Sequence, residues 1–182
     1  VHIGSLLSKR NPKILWEATG ELVTENKVFA GQFSLDFVGL VSDEVKESIA
    51  AHGLTSYCNF YGYISHDEAR KQQYTAHLLL LIEIDSEAHK GIIPGKVFEY
   101  LQSSRPILAI GPQDWDVAQV LPENNSNALG TYQDKSLVKS FIAHRFNVGT
   151  EIASKTDPAL RKYERKNLTE ELSKIIKNLK RS

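Results

Sequence analysis

The chain has a single cysteine, no methionine and no excess of either charge: 22 Lys and Arg face 22 Asp and Glu over 182 residues. One thiol excludes an internal disulfide, and Cys58 lies in the apolar run from Tyr57 to Tyr63, where a buried structural role suits it better than that of a nucleophile. Zero formal net charge removes any general pull on phosphate backbones, so nucleic acid is not an expected partner and any anion site must be local. No stretch approaches the roughly 18 apolar residues of a membrane span. The longest, Leu78 to Ile82, has only the length of a strand. A signal peptide is also lacking, which places the chain in a reducing cytoplasm as an expectation. The six histidines are scattered without metal-ligand spacing, so no metal is expected. Neither G-x-G-x-x-G nor a nucleophile elbow occurs, and Gly91 to Lys96 lacks a spacer residue and the hydroxyl residue of a P-loop. Dinucleotide oxidoreductases, serine hydrolases and P-loop enzymes are thereby disfavoured.

What is present is ordinary for a soluble domain: 41% hydrophobic and 24% charged residues in a length that suits one compact unit. The chain begins at Val1, on what reads as a strand already under way, so it is expected to be a piece of a longer protein.

Short apolar runs alternate with amphipathic segments, the pattern of strand and helix units wound around a parallel sheet. Strands are expected at Val1–Gly4, Leu35–Leu40, Cys58–Tyr63, His77–Ile84, Pro106–Gly111 and Asn127–Tyr132. Leu78 to Ile82 and Ile107 to Ile110 are apolar on both faces, as central strands covered on both sides must be. Helices are expected at Pro12–Asn26, Asp43–His52, His66–Thr75, Lys96–Ser103, Asp114–Leu121 and Lys135–Phe146. Ser65 and Glu68 form a capping box, Ser42 before Asp43 and Glu44 is a second N-cap, and Pro12 suits a first turn. Pro158 to Lys180 reads as one long charged helix with Leu160, Leu168, Leu172, Ile175, Ile176 and Leu179 on a stripe. The fold class is therefore α/β, a Rossmann-like open parallel sheet of about six strands with helices on both faces and a long C-terminal helix.

In such sheets ligands bind beyond the carboxyl ends of the strands, near helix N-termini. Two loops there stand out. Gly4, Ser5, Ser8, Lys9 and Arg10 combine a strand-end glycine, hydroxyls and adjacent cations before a helix, which suits a phosphate, although the same residues also suit a solvated loop. In the second, Gly91 and Gly95 allow a tight turn, Lys96 adds a charge at a helix start, and Glu99 lies one turn further on, where a carboxylate can accept hydrogen bonds from vicinal hydroxyls. A Gly-Pro turn followed by a surface Lys/Glu pair is the plainer alternative. Asp114-Trp115-Asp116 has the form of a metal-binding Asp-x-Asp but reads better as a helix start, and His2 reads as a packed core histidine.

Three segments in register carry a resemblance. Lys90 to Gly111, K-G-I-I-P-G-K-V-F-E-Y-L-Q-S-S-R-P-I-L-A-I-G, resembles the signature region of group 1 (family 4) nucleotide-sugar glycosyltransferases. H-I-G-S-L-L-S-K-R-N-P-K-I-L-W-E-A resembles that family's V-G-R-L-x-x-x-K-G-x-x-x-L-I-E-A, and the stretch from Phe60 resembles its F-x-G-x-V-x-x-E-E-L-x-x-x-Y-x-x-A-D-V-x-V. The resemblance covers Val1 to Gly111. It implies a GT-B fold, two Rossmann-like domains facing across a cleft, with residues 1–182 as the C-terminal, donor-binding domain of an enzyme whose N-terminal acceptor domain is absent. The long final helix would pack back toward that missing domain.

By position, Glu99 matches the second glutamate of the paired-glutamate motif, implied to hold the donor ribose. Ile93, Pro94 and Gly95 fall in the loop implied to wrap the donor sugar and phosphates, though Pro94 offers only its carbonyl. Arg10 matches the phosphate-binding lysine, Gly4 the glycine that admits the diphosphate, and Tyr63 and Ile64 the segment implied to lie against the base. Lys96 and Arg10 are the candidate diphosphate stabilisers. Two positions depart from the family: its first-loop arginine is Ser5, leaving Lys9 or Lys96 to substitute, and its first motif glutamate is Gly91, leaving Glu87 as a candidate. The implied activity is transfer of a sugar from a nucleoside diphosphate sugar to an acceptor hydroxyl, with retention and without a metal or other cofactor, in bacterial surface polysaccharide or glycolipid synthesis. This chain alone is expected to be inactive. The acceptor and any peripheral membrane association of the whole enzyme stay open. So do two alternatives, a sugar-nucleotide 2-epimerase and a non-catalytic domain that keeps the fold.

Overall fold

A computed structural model describes residues 1–122, 126–149 and 163–179 of the chain. Six strands, β1 His2–Ile3, β2 Leu35–Val38, β3 Cys58–Gly62, β4 Leu79–Ile82, β5 Ile107–Gly111 and β6 Asn127–Thr131, form one parallel sheet in the order β3-β2-β1-β4-β5-β6. Each expected strand is present, trimmed at its ends. Helices α1 Lys13–Glu25, α2 Lys27–Gln32, α3 Asp43–Ala51, α4 His66–Thr75, α5 Lys96–Ser103, α6 Lys135–Val148 and α7 Arg165–Leu179 follow in the chain.

The central strands are apolar throughout because each face meets a different core. Leu80 and Ile82 of β4, with Leu108 and Ile110 of β5, pack on Leu15, Trp16 and Leu22 of α1, Val45 and Ile49 of α3 and Val138 and Ile142 of α6. The alternate residues Leu79, Leu81, Ile107 and Ala109 pack on Val97, Tyr100 and Leu101 of α5 and on Trp115. Period-2 alternation thus divides one hydrophobic run between two layers. On the outer surface Lys135 bridges Glu17 and Glu21, and Lys139 bridges Glu21 and Glu25, tying α6 along α1.

Four sequence expectations are corrected. The segment expected to be helical from Asp114 to Leu121 contains only a single-turn 3-10 helix, Asp116–Gln119. Its Trp115 is fully buried and its ring occupies the space where a side chain on Gly111 would lie, which holds the segment in a turn. Helix α2 was not anticipated; Asn26, read as a helix end, caps this new helix by accepting from the Val28 and Phe29 amides. Ser42 does stand at the start of α3, but its buried hydroxyl makes no capping bond. The Ser65–Glu68 capping box is present at α4. Cys58 is half-buried rather than buried; its thiol donates to the Leu54 carbonyl, and burial raises its pKa to about 11, so it is unreactive.

Helix α7 carries the expected stripe, with Leu168, Leu172, Ile175 and Ile176 exposed. Of the expected helix Pro158–Lys180, the helix observed is Arg165–Leu179, while residues 158–162 and Lys180 lie outside the described residues. Tyr163, just before α7, packs its ring against Phe98 in a tilted arrangement, centroids 5.2 Å apart. Among the described residues no helix is long and apolar enough to cross a membrane.

Backbone geometry at the carboxyl edge rests on glycine. Gly4 (φ +110°) ends β1 after two residues, and Gly39 (φ +113°) lies so close that a Cβ there would stand 2.8 Å from the Gly4 carbonyl. Gly39 N–H in turn donates to Gly62 O at 2.6 Å, so the ends of β1, β2 and β3 are drawn together. Gly39→Ala combines a disfavoured φ with a backbone overlap and is expected to destabilise the fold by about 1–3 kcal/mol. A thermal melt checks this, with a drop in Tm of roughly 2–8 °C expected.

Candidate functional site

Strand order reverses beside β1: β2 follows it on one side and β4 on the other. A parallel sheet opens a crevice at such a point, outside the carboxyl ends of its strands. The end of β1 supplies Gly4, the loop after it supplies Arg10, the end of β4 supplies Glu83 and the start of α5 supplies Lys96.

These groups meet. Lys96 is the first residue of α5, and its ammonium reaches back over the sheet to donate to Ile3 O at 3.1 Å. It also lies 3.7 Å from where a Cβ on Gly4 would be, so glycine keeps this space open above β1. Tyr100, one turn further along α5, accepts from Ile3 N–H at 3.1 Å and fastens the helix to the same strand. Arg10 ends a 3-10 turn, Ser8–Arg10, and donates from Nε and Nη2 to Glu83 Oε1 at 3.1 and 3.0 Å. The same oxygen accepts from Ile84 N–H at 2.9 Å. Glu83 is only 2% exposed. His2 is buried alongside with Nδ1 against Leu80 O; burial first, then the charges of Lys96 and Arg10, hold its pKa well below the usual value, so it is a neutral core histidine.

Two cations and one carboxylate are therefore neighbours at this edge, Glu83 buried and Arg10 partly exposed, with one positive charge in excess. That excess registers at Lys96, whose pKa falls to about 8 through burial foremost, then the Arg10 charge, with Glu83 acting against it.

The remaining candidates surround it. Glu99, exposed on the first turn of α5, accepts from Gln73 Nε2 at 3.1 Å; Gln73 is buried on α4 and holds the carboxylate in place. The loop of Ile93, Pro94 and Gly95 is fixed from beneath by Trp115, whose indole N–H donates to Ile92 O at 2.6 Å. Ile92 and Ile93 expose apolar surface there. Tyr63, 80% exposed, and Ile64 follow β3, two strands away from β1 across β2. Ser5 is half-buried beside Gly4, and Lys9 is exposed on the 3-10 turn. Glu87 points into solvent and pairs with Lys90 at 2.8 Å. At Gly91 the Asp116 carboxylate comes within 3.8 Å of where a Cβ would be, and the Asp116 amide donates to Lys90 O.

Glu83 and Trp115 were not identified from sequence. The signal for Glu83 was available, an acid immediately after an all-apolar strand next to the switch point. Trp115 gave none, because its role depends on the fold of the loop it supports. A separate cavity of about 510 Å³, lined by Phe29, Phe33, Leu78 and Phe146, opens by the starts of the strands, at the opposite edge from these groups.

Solved structures match this chain closely in shape. A glycosyltransferase from Rickettsia africae is matched over all of this chain and 48% of its own, with TM-score 0.67 and 20% identity. The C-terminal domain of a group 1 glycosyl transferase (LpcC) from Francisella tularensis matches over 80% of this chain and 75% of its own, at TM-score 0.58 and 12% identity. The chain has the fold of a GT-B glycosyltransferase C-terminal domain. A putative UDP-N-acetylglucosamine 2-epimerase from Listeria monocytogenes shares it over 80% of this chain and 36% of its own, at TM-score 0.52 and 14% identity. The chain thus spans about half the length of the Rickettsia protein and less of the epimerase. No protein-family model and no curated protein matches the sequence.

The charge arrangement sets a pH dependence. Because the folded pKa of Lys96 lies below its value in an unfolded chain, burying the cation destabilises the fold below about pH 8, and the cost fades as pH rises toward 10.5. An anion in the crevice acts the other way, raising the pKa, so binding takes up a proton above about pH 8. Affinity for inorganic pyrophosphate is expected to fall as pH rises through about 8, and Lys96→Met to flatten that dependence. Calorimetric titration across this range checks it.

Proposed function

We propose that this chain binds a nucleoside diphosphate sugar, as the donor domain of a larger enzyme that transfers the sugar to an acceptor hydroxyl with retention of configuration. The observation that carries the reading is the meeting of Gly4, Arg10 and Lys96 at the β1/β4 switch point, in front of the N-terminus of α5. A departing diphosphate is stabilised by fixed cations and helix amides already aimed at the place where charge develops. Lys96 and Arg10 supply the cations, Gly4 the room, and Ser5 and Lys9 the outer edge of the phosphate site. Glu99, held by Gln73, receives the ribose hydroxyls. Ile93, Pro94 and Gly95 line the sugar, and Tyr63 and Ile64 face the base.

Asp116 is better situated than Glu87 to supply the carboxylate absent at Gly91, because Glu87 is solvated and paired while Asp116 approaches the Gly91 backbone. The chemistry needs no metal or other cofactor in this reading. The acceptor site belongs to a preceding domain, toward which the exposed stripe of α7 packs, and the chain alone turns nothing over. The protein is cytoplasmic, and bacterial surface polysaccharide or glycolipid synthesis fits the G-K-x-F-E-Y-L form of its loop.

A second reading, sugar-nucleotide 2-epimerase, is favoured by the shared fold of the Listeria protein and uses the same donor site without an acceptor. A product assay on the full-length protein separates them by scoring epimerised donor against glycosylated acceptor.

Calorimetric titration with UDP, GDP and ADP tests the donor site. One nucleotide is expected to bind saturably, with Glu99→Ala and Lys96→Ala each weakening it by about 10-fold or more. Absence of binding by both this chain and the full-length protein contradicts the reading and favours a non-catalytic domain.

A further inference from the structure

Resting on the donor-site reading, the geometry points to Glu83 as a positioning residue that locks Arg10 side-on, so that the unengaged Nη1 edge of the guanidinium meets the diphosphate. Glu83 sits where β4 ends, its side chain 3% exposed, and Arg10 is its salt-bridge partner at 3.0 Å with a side chain 34% exposed. Nε and Nη2 are both spent on one carboxylate oxygen, and Nη1 takes no part in that pair.

Arg10 needs such a hold. It lies on a three-residue turn whose helix geometry fixes little, and its long side chain would otherwise sample many rotamers in a half-open crevice. A planar fork held along one edge has its opposite edge directed by covalent geometry alone, which a lysine in the same place cannot reproduce. Glu83 is itself over-determined: its carboxylate accepts the Ile84 amide, its backbone N–H donates to Ile110 O, and its backbone carbonyl accepts from Tyr132 Oη at 2.8 Å. Strands β4 and β5 and the start of the loop after β6 thus fix the acid, and the acid fixes the base.

A carboxylate in an anion site is otherwise a liability, because its charge repels the ligand. Position and charge therefore predict opposite outcomes for Glu83→Gln. If Glu83 acts only through its charge, removing it tightens anion binding; if it positions Arg10, removing it weakens binding despite the gain in net positive charge.

The experiment titrates the wild-type chain, Glu83→Gln, Glu83→Asp, Arg10→Ala, Lys96→Ala and the Glu83→Gln/Arg10→Ala double variant with inorganic pyrophosphate and with UDP, GDP and ADP, after a melt confirms that each is folded. Glu83→Gln is expected to weaken binding roughly 5- to 20-fold in the wild-type background and not at all in the Arg10→Ala background. Glu83→Asp keeps the charge but withdraws the oxygen, so it should lose affinity while leaving the pH of the alkaline fall unchanged. Glu83→Gln should move that fall to lower pH, because Lys96 then faces Arg10, the neutral His2 and the Tyr100 hydroxyl without a compensating carboxylate.

Equal or tighter binding by Glu83→Gln, or full affinity in Glu83→Asp, overturns the positioning role while leaving the donor site intact, provided that Arg10→Ala and Lys96→Ala weaken binding. Failure of both the wild-type chain and the full-length protein to bind any of the four ligands overturns both.

Discussion

A carboxylate almost out of reach of solvent, paired with the Arg10 guanidinium and lying near the buried Lys96 ammonium, governs the carboxyl edge of this sheet. Burying charge is costly unless it is compensated, and Glu83 is compensated by the Arg10 guanidinium and a backbone amide. Lys96 has a backbone carbonyl as its hydrogen-bond acceptor, and its pKa is lowered by burial foremost and by the Arg10 charge second. Two cations here face one buried carboxylate, and the proposal of a site for a nucleoside diphosphate rests on that imbalance more than on any single residue.

The fold brings the charges together without long-range coincidence. A sheet that reverses strand order at β1 leaves the ends of β1 and β4 adjacent, and each is followed by a loop leading to a helix. Glycine at positions 4 and 39 lets the ends of β1 and β2 nearly touch, which leaves open the space into which Lys96 reaches. Trp115, buried against Gly111, braces the glycine-containing loop ahead of α5. Rigid strands carry the anchors, and the less regular loops carry the groups that would meet a ligand.

Much of the fold was legible in the sequence for physical reasons that can be named. Leu78 to Ile82 had to be a two-sided strand, since no single surface could bury five consecutive apolar residues, and β4 serves two cores. Ser65 and Glu68 announced α4 through their reciprocal cap. The errors came where tertiary contact outweighed local preference: Asp114 to Leu121 has helical composition, but burial of Trp115 bends it into a turn, and Asn26 was read as an end although it also begins a helix. Of the site, the cations and glycines were visible at the ends of strands. The partner of Arg10 was not, because Glu83 lies 73 positions away and only the strand order makes them neighbours.

A crystal structure of the chain grown with UDP, GDP or ADP tests the central claim most directly. The account predicts diphosphate oxygens beyond the ends of β1 and β4, within hydrogen-bond distance of Arg10 and Lys96, with Arg10 still held by Glu83 and the ribose at Glu99. A nucleotide seated instead in the apolar cavity by Phe29 and Phe146, at the other edge of the sheet, would contradict it.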